Sequence, residues 1–576
     1  MSEEKIPYSV HSFMLPFRWD YIPPGFKQGM DLQEIDFDTR TNLKNFYNCL
    51  CGQNSFWQRK FFKIDGKAEN FNEQHYFHAY ASLGMYDMQQ ESEQNPTDIA
   101  PNKAIVYYEM ETDPQTDTYT IRVKNKKDYV LALAGISMHV YTTGVAILTF
   151  NLENYTYTEK EHILHINEFG RRIYPQFLTI NTIATDVVKD SFLAESIEIY
   201  IAKAGLFADD FSEYEKIDER EVFHYNTAGQ YIKSWVIQPP KYIRDLLGEK
   251  FVFKQADEIK EKVRFNILTD DRMFFQCWYG NDELAKELAI KKIEGKKDDK
   301  KKDEQAIIEP GYTYPYLSNS SWYCFIFGDK ESPSSTNPKM MLNEMEKHTY
   351  ARWAGGENYK DLMEAKIDKI KATIYGFSKD SFVNITDRSW FSENVLRIHM
   401  KTMYYQVAVI NLAQRASVLR FSREVTYLSD LNKHDNKKLI ANIKTLYKNY
   451  IEFINKIYFR EITPYIQGTE MYNQFQGIME LEKNIKDLDD ELGELFNYVK
   501  LDADEKQGDE AHRLSVIASW FLPASFIASL FGIGYMTAGI EFTGKPEPKL
   551  WIAWGIICAG GVLISWILFK IFKKKK

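Results

Sequence analysis

Cysteine is scarce in this sequence, with five residues among 576. So sparse and odd a set is a poor framework for disulfides and favours a reducing compartment. Cys49 and Cys51 form a CxC pair, but no second pair at a metal-ligand spacing accompanies them, which argues against a zinc site. Because 44% of the residues are hydrophobic and 15% are aromatic, wholesale disorder is also excluded.

An excess of positive charge is also lacking, since 72 Lys and Arg face 81 Asp and Glu and the net charge is −9. This excludes a protein whose whole surface binds nucleic-acid polymers. The charge is unevenly spread, because residues 514–576 hold seven lysines and only two glutamates. That segment therefore carries +5 and the rest of the chain −14, which indicates an acidic body joined to a basic terminal segment.

Two runs in the terminal segment contain no Asp, Glu, Lys, Arg or His, at residues 514–536 and 550–569. Each reaches the length of about 20 apolar residues that a helix needs to cross a bilayer, which predicts a multi-pass membrane protein. Arg513 precedes the first run and lysines 573–576 follow the second. The positive-inside rule then places both termini in the cytoplasm and the chain in the plasma (inner) membrane.

The first run also carries a face of mainly small or hydroxyl side chains at spacings of three and four residues. Such a face suits either tight helix packing or the lining of a narrow pore, and both alternatives stay open at this point. Its members are Ala511, Leu514, Ala518, Leu522, Ser525, Ser529 and Gly532.

The last sixty residues resemble the CorA family of two-span divalent-cation transporters. The likeness lies in the first run with Pro523, a short loop with Pro546 and Glu547, and a second run that ends in lysines. The family's Tyr-Gly-Met-Asn signature aligns with residues 531–534, where Gly534 replaces the Asn. The resemblance implies a homopentamer whose first spans line the pore, with Mg²⁺ or another divalent cation as its ion. Because Gly534 offers only backbone carbonyls to a hydrated ion, selectivity for Mg²⁺ should be weaker.

The resemblance also assigns roles to individual residues. Leu514 and Leu522 become hydrophobic constrictions that gate by dewetting. Glu541 and Glu547 attract cations at the outer mouth, and Asp502 and Asp509 at the inner mouth, unless these acids are ordinary solvated residues. The implied pore-lining residues are Leu514, Ala518, Leu522, Ser525, Ser529, Gly532 and Gly534.

Three domains are predicted. Residues 1–340 read as a cytoplasmic α/β (α+β) input domain, with strands near 103–152 and a helix at 159–171. Residues 341–510 read as a helical region whose heptad pattern predicts a long coiled stalk. If residues 471–536 form one helix, it runs from the stalk into the membrane, unless Gly508 interrupts it. Residues 511–576 form the two-helix pore domain. The heptad residues are Ile478, Leu481, Ile485, Leu488, Leu492, Leu495 and Val499.

The input domain shows no phosphate-binding glycine loop, HExxH motif or catalytic triad, so we expect no enzyme activity. Arg171, Arg172 and Tyr174 are the candidate nucleotide-binding residues, because paired guanidinium groups hold phosphate and a tyrosine stacks on a base. A salt-bridged helix end is the alternative.

The leading hypothesis is a cation channel gated through its cytoplasmic domain. The chain resembles the divergent CorA branch found with type III CRISPR systems, which implies an adenylate-type nucleotide second messenger and a role in antiviral defence. The alternatives are a housekeeping Mg²⁺ or other divalent-cation transporter and a non-conducting, membrane-tethered receptor.

Truncating the proposed constriction should make the pore leak. Leu522→Ala removes apolar volume from a ring that gates by dewetting, so reconstituted protein should pass ions without a ligand. Flux into liposomes measures this, with Leu563→Ala in the second run as the control. An assembled oligomer that stays tight after Leu522→Ala would show that this residue is not the gate.

Overall fold

The computed structural model describes most of the chain before residue 502 and a few positions beyond it. The chain forms two compact units, Met1–Glu491 and Leu492–Lys576. The described residues are 5–26, 32–52, 55–63, 68–124, 126–174, 193–212, 221–225, 231–235, 239–252, 261–268, 271–289, 291–292, 312–329, 338–354, 371–429, 436–501, 508, 511–512, 514–516, 518 and 559–560.

The first unit is built on one large, mostly antiparallel sheet. Its strand order is β16-β17-β18-β13-β1-β6-β5-β4-β7-β8, with β12 and β11 branching from β1, and β3 and β2 from β5. Two small sheets pair β9 with β10 and β14 with β15. The strands are β1 Ser9–Ile22, β2 Trp57–Arg59, β3 Ile105–Met110, β4 Thr118–Arg122, β5 Tyr129–Tyr141, β6 Val145–Asn154, β7 Ser196–Ile201, β8 Gly205–Asp209, β9 Glu221–Tyr225, β10 Tyr231–Trp235, β11 Phe251–Val252, β12 Lys262–Ile267, β13 Phe274–Gly280, β14 Lys291–Lys292, β15 Tyr312–Thr313, β16 Thr349–Ala354, β17 Lys371–Ser378 and β18 Ser381–Thr386.

Some helices lie between the strands in sequence, and the longest helices follow the last strand, β18. A π-helical turn, Ser392–Leu396, leads into the helices that end the first unit, and residues 481–491 are again helical. The α-helices are α1 Phe37–Arg40, α2 Leu43–Leu50, α3 Ala68–Tyr76, α4 Ala79–Met85, α5 Lys160–Arg171, α6 Lys241–Leu247, α7 Asp282–Leu288, α8 Ser320–Phe327, α9 Pro338–His348, α10 Arg397–Lys401, α11 Met403–Leu428, α12 Asn436–Lys456 and α13 Ile466–Ile478.

Strand β1 separates the two sides of the sheet, because successive side chains of a strand point to opposite faces. Its odd-numbered Phe13, Leu15 and Phe17 are fully buried in the main apolar core, together with Ile166 and Phe169 of α5. Its even-numbered Arg18 and Asp20 face the other way. The sheet therefore presents an apolar face to one layer of helices and a partly polar face to another.

The local predictions agree well with this fold. The mixed α and β class is confirmed, and the mostly antiparallel pairing makes it α+β. Within the predicted strand region, a tight turn at Gly144 joins β5 to β6 with φ of +75°. A Cβ at Gly144 would lie 2.7 Å from Cγ2 of Thr41, so the turn requires glycine for both backbone and space.

Two features differ from the sequence analysis. Strands β16, β17 and β18 extend the sheet beyond residue 340, where we predicted helices. A single helix that starts at residue 471 and runs into the membrane is excluded, because α13 ends at Ile478 and Glu480 has a left-handed backbone with φ of +54°. Heptad residues Leu481 and Leu488 are nevertheless buried on the helix that follows. The division into domains 1–340, 341–510 and 511–576 stays a prediction.

The left-handed backbone at Glu480 predicts how substitutions there behave. Glu480→Val should destabilise the protein by about 1–2 kcal/mol relative to Glu480→Gly, since a β-branched side chain clashes in this conformation. Both variants lose the exposed ion pair with Lys379, so that loss cancels in the comparison. Thermal melting measures the difference. Glu482→Val, on the exposed side of the next helix, is the control, and equal melting of the two Glu480 variants would contradict the argument.

Candidate functional site

Most of the predicted pore and mouth residues lie outside the described residues. Leu514 and Ala518 are described, and both are helical and exposed, Leu514 with 66% of its surface. Among the residues with a described position, no helix combines the length and the apolar character needed to traverse a bilayer. The residues outside are Asp502, Asp509, Leu522, Ser525, Ser529, Gly532, Gly534, Glu541 and Glu547.

Arg171 and Arg172 are buried at the end of α5 and engaged by carboxylates. Arg171 donates to Glu168 at 2.9 Å and Arg172 donates to Glu168 at 2.7 Å and also to Asp271. Burial alone would raise the Glu168 pKa, but the two arginines outweigh it and hold the pKa below its ordinary value. Tyr174 packs half-buried against the apolar core. The structure thus contains the salt-bridged helix end that the sequence left as the alternative.

A larger group of charges meets where α11 crosses the polar face of the sheet. Asp20 of β1 accepts hydrogen bonds from Arg40 of α1 at 2.9 Å and from Arg420 of α11 at 2.5 and 3.0 Å. The Arg18 Nε lies 3.3 Å from the same carboxylate. None of these four side chains exposes more than 4% of its surface. Asp20 is therefore the centre of a buried ionic junction between β1, α1 and α11.

Glu424, one helical turn after Arg420, completes this ionic junction. Arg40 binds its carboxylate in a two-pronged arrangement, with distances of 3.0 and 2.7 Å. Burial would raise the pKa of Asp20 and of Glu424, but Arg420 and the neighbouring arginines outweigh it and hold both below their ordinary values. Both carboxylates are thus charged at neutral pH, and α11 is tied to the sheet by fully ionised groups.

Uncharged polar contacts extend the attachment along α11. The Ser417 and Thr143 hydroxyl groups lie 2.8 Å apart, and Tyr405 donates to Thr149 at 3.2 Å. The facing residues Thr143 and Thr149 belong to the β5–β6 turn and to β6. The helix is therefore held to the sheet at several levels and not only at Asp20.

The other side of α11 contacts α13 through amide side chains. Gln414 donates to the Tyr472 hydroxyl at 3.1 Å and to the Ile457 carbonyl at 3.0 Å. Gln476 donates to Asn411 at 2.8 Å and to Gln414 at 2.6 Å. These buried bonds make α11 the element that joins the sheet to the last helices of the first unit.

Comparison with known proteins gives a family match over part of the chain. Residues 398–574 match the family model described as CorA-like Mg²⁺ transporter protein. This matched stretch is called the CorA-like region. No curated protein matches the chain. Sixteen chains of solved structures match, among them "structure of the full-length CmaX protein", at 13% identity over 43% of this chain and 84% of that one. Its TM-score of 0.18 supports no argument.

The CorA-like region begins inside α10, so α11, α12 and α13 belong to it. The ionic junction therefore joins the first long helix of this region to the sheet that precedes it. Sequence reasoning missed Asp20, Arg40, Arg420 and Glu424. A usable signal was present, because Arg420 and Glu424, four residues apart, lie on one face of a long helix, and Asp20 follows a largely apolar run in β1.

Neutralising the centre of the junction should destabilise the protein strongly. Asp20→Asn leaves three buried guanidinium groups short of a counter-charge, which costs about 3–5 kcal/mol. The pKa of Asp20 in the folded protein lies below the ordinary value of 3.8. Its contribution to the free energy of unfolding is therefore complete above pH 3.8 and is lost as the pH falls through the pKa of the folded state. Thermal melting against pH measures both effects.

Glu198→Gln is the matched control for this prediction. It removes one carboxylate from a pair with Arg122, but both partners are substantially exposed, so the loss should stay below about 1 kcal/mol. If Asp20→Asn costs no more than Glu198→Gln, the junction does not hold α11 to the sheet.

Proposed function

We propose that the chain is a CorA-like membrane transporter or channel for cations, that it works as a homo-oligomer and that it is not an enzyme. One observation carries this proposal. The family match at 398–574 extends over both uncharged runs, 514–536 and 550–569, so the part related to CorA includes the segments long enough to span a bilayer. Mg²⁺ or another divalent cation is the transported ion in this proposal.

The finer part of the proposal is that the N-terminal part controls conduction in a pentamer. Two observations favour control. The ionic junction gives the sheet a direct attachment to the CorA-like region, and Gly534 stands where the family has the Asn that holds hydrated Mg²⁺. The resemblance to the CRISPR-associated branch extends the proposal to an adenylate-type nucleotide as the controlling ligand, with ion leakage as the antiviral effect.

Ion flux in reconstituted liposomes tests the proposal. We expect little flux from the protein alone and an increase of about 5- to 150-fold with an activating nucleotide, the range that ordinary coupling energies allow. Mg²⁺ entry and monovalent conductance are recorded in parallel, with empty liposomes as the control.

The outcomes separate the three functional classes. Constitutive Mg²⁺ flux that nucleotides do not change would overturn ligand control and favour a housekeeping transporter. Absence of flux under every condition would overturn conduction and favour a membrane-tethered receptor. Nucleotide-dependent flux of any cation would support the proposal.

A further inference from the structure

The polar face of the sheet carries more arginine than the ionic junction needs. Strand β12 pairs antiparallel with β1, so that Arg264 lies opposite Asp20 and Asn266 lies opposite Arg18. Residues directly opposite one another in an antiparallel pair share a face, with Cβ atoms about 5 Å apart. Arg264 and Asn266 therefore lie on the same side of the sheet as Arg18, Asp20 and the helix α11.

The charges gathered there do not balance. Within the described residues, two carboxylates, Asp20 and Glu424, face five guanidinium groups, which leaves a surplus of three positive charges. A second α11 residue, Arg423, contributes because it lies three positions after Arg420 and so on a neighbouring part of the helix surface. The five are Arg18, Arg40, Arg264, Arg420 and Arg423.

Several donors in this group make no hydrogen bond. The Nε atoms of Arg264 and Arg420 and the amide nitrogen of Asn266 are buried atoms without a hydrogen-bond partner, and the Arg18 Nε makes none although it lies 3.3 Å from the Asp20 carboxylate. A buried donor left unpaired costs about 1–3 kcal/mol, and a charged one more. Three donors without a partner, from β12 and α11, are an arrangement that an anion would satisfy.

The like charges also repel one another. The Arg18 pKa is lowered to about 9, mainly by burial; Asp20 raises it, and Arg420 and Arg423 add to the lowering. The Arg423 pKa is also lowered, by partial desolvation and by the nearby Arg264 and Arg420. The group therefore retains an uncompensated positive potential in addition to its unpaired donors.

The members of the arginine group differ in exposure. Arg18 and Arg420 are buried, Arg264 and Asn266 are half-buried, and Arg423 is exposed. Arg423 and Arg264 are therefore the arginines of the group that solvent reaches.

We propose that Arg18, Arg264, Asn266, Arg420 and Arg423 form a binding site for a phosphoryl group, either free phosphate or the phosphate of a small nucleotide. Three oxygens and up to two negative charges match guanidinium and amide donors that two strands and a helix present on one face of the sheet. The site lies where the N-terminal sheet meets the CorA-like region, and it is distinct from Arg171 and Arg172, whose carboxylate partners belong to the fold.

Thermal melting of the full chain in detergent tests the site, with sodium phosphate titrated against sodium chloride at constant ionic strength. We expect phosphate to raise the melting temperature of the natural protein beyond chloride, because binding to the folded state stabilises it. Arg264→Gln should weaken the apparent phosphate affinity at least about tenfold, the loss of one charge-assisted hydrogen bond. Arg423→Gln should act in the same direction.

The melting temperature without phosphate separates binding from a structural role. Arg264 and Arg423 repel their neighbours, so each Gln variant should melt at or above the natural protein, whereas loss of a structural contact would lower it. Arg460→Gln, at an exposed arginine outside the group, is the control. Tighter binding of AMP than of phosphate would assign the site to nucleotides, and equal binding would assign it to the free ion.

Two results would overturn the site: no stabilisation by phosphate beyond chloride, or the same phosphate response from Arg264→Gln as from Arg460→Gln. The binding assay needs no ion conduction. A protein that binds phosphate but passes no ions would therefore refute the proposed function and leave the site intact. A protein that passes ions but does not respond to phosphate would refute the site and leave the proposed function intact.

Discussion

The fold depends on one buried carboxylate, Asp20, which three arginines from three separate elements surround. A carboxylate and a guanidinium removed from water each lose several kcal/mol of hydration, and only close, well-directed bonds recover it. The distances of 2.5–3.3 Å around Asp20 meet that requirement. Because any rearrangement would leave a charge without its counter-charge, β1, α1 and α11 are constrained to one relative position. An apolar contact of similar area would constrain them less, since hydrophobic contacts have no preferred direction.

This constraint explains the asymmetry of the sheet. One face is filled by large apolar side chains and closes the main core, as Phe13 and Phe17 show. The opposite face must receive α11, whose Arg420 and Glu424 carry charge into the interface. Strand β1 serves both faces by alternation, with Trp19 in the core and Asp20 at the junction. A shift of β1 by one residue would place Asp20 in the apolar core, so the charge pattern also fixes the register of the sheet.

Local features were readable from the sequence, and long-range ones were not. The strands around Gly144 and the helix Lys160–Arg171 follow from alternation, turn chemistry and helical spacing, which act within a few residues. The partnership of Arg40 with Glu424 spans 384 positions, and no local pattern specifies it. Arg171 and Arg172 show a second difficulty, because two adjacent arginines give the same sequence pattern in a phosphate-binding site and in a buried ion pair. Only the neighbouring Glu168 and Asp271, seen in space, distinguish the two.

The helix break at Glu480 was equally hidden, because the heptad pattern continues on both sides of it. A repeat of apolar residues predicts which face of a helix is buried, but it does not predict where the helix is interrupted. The break is secured by an exposed pair, Lys379–Glu480 at 2.7 Å, and such pairs contribute at most about 1 kcal/mol. The attachment of α11 to the sheet, by contrast, consists of several buried hydrogen bonds between charged side chains. Breaking the junction at Asp20 is therefore expected to cost more stability than losing the pair at Glu480.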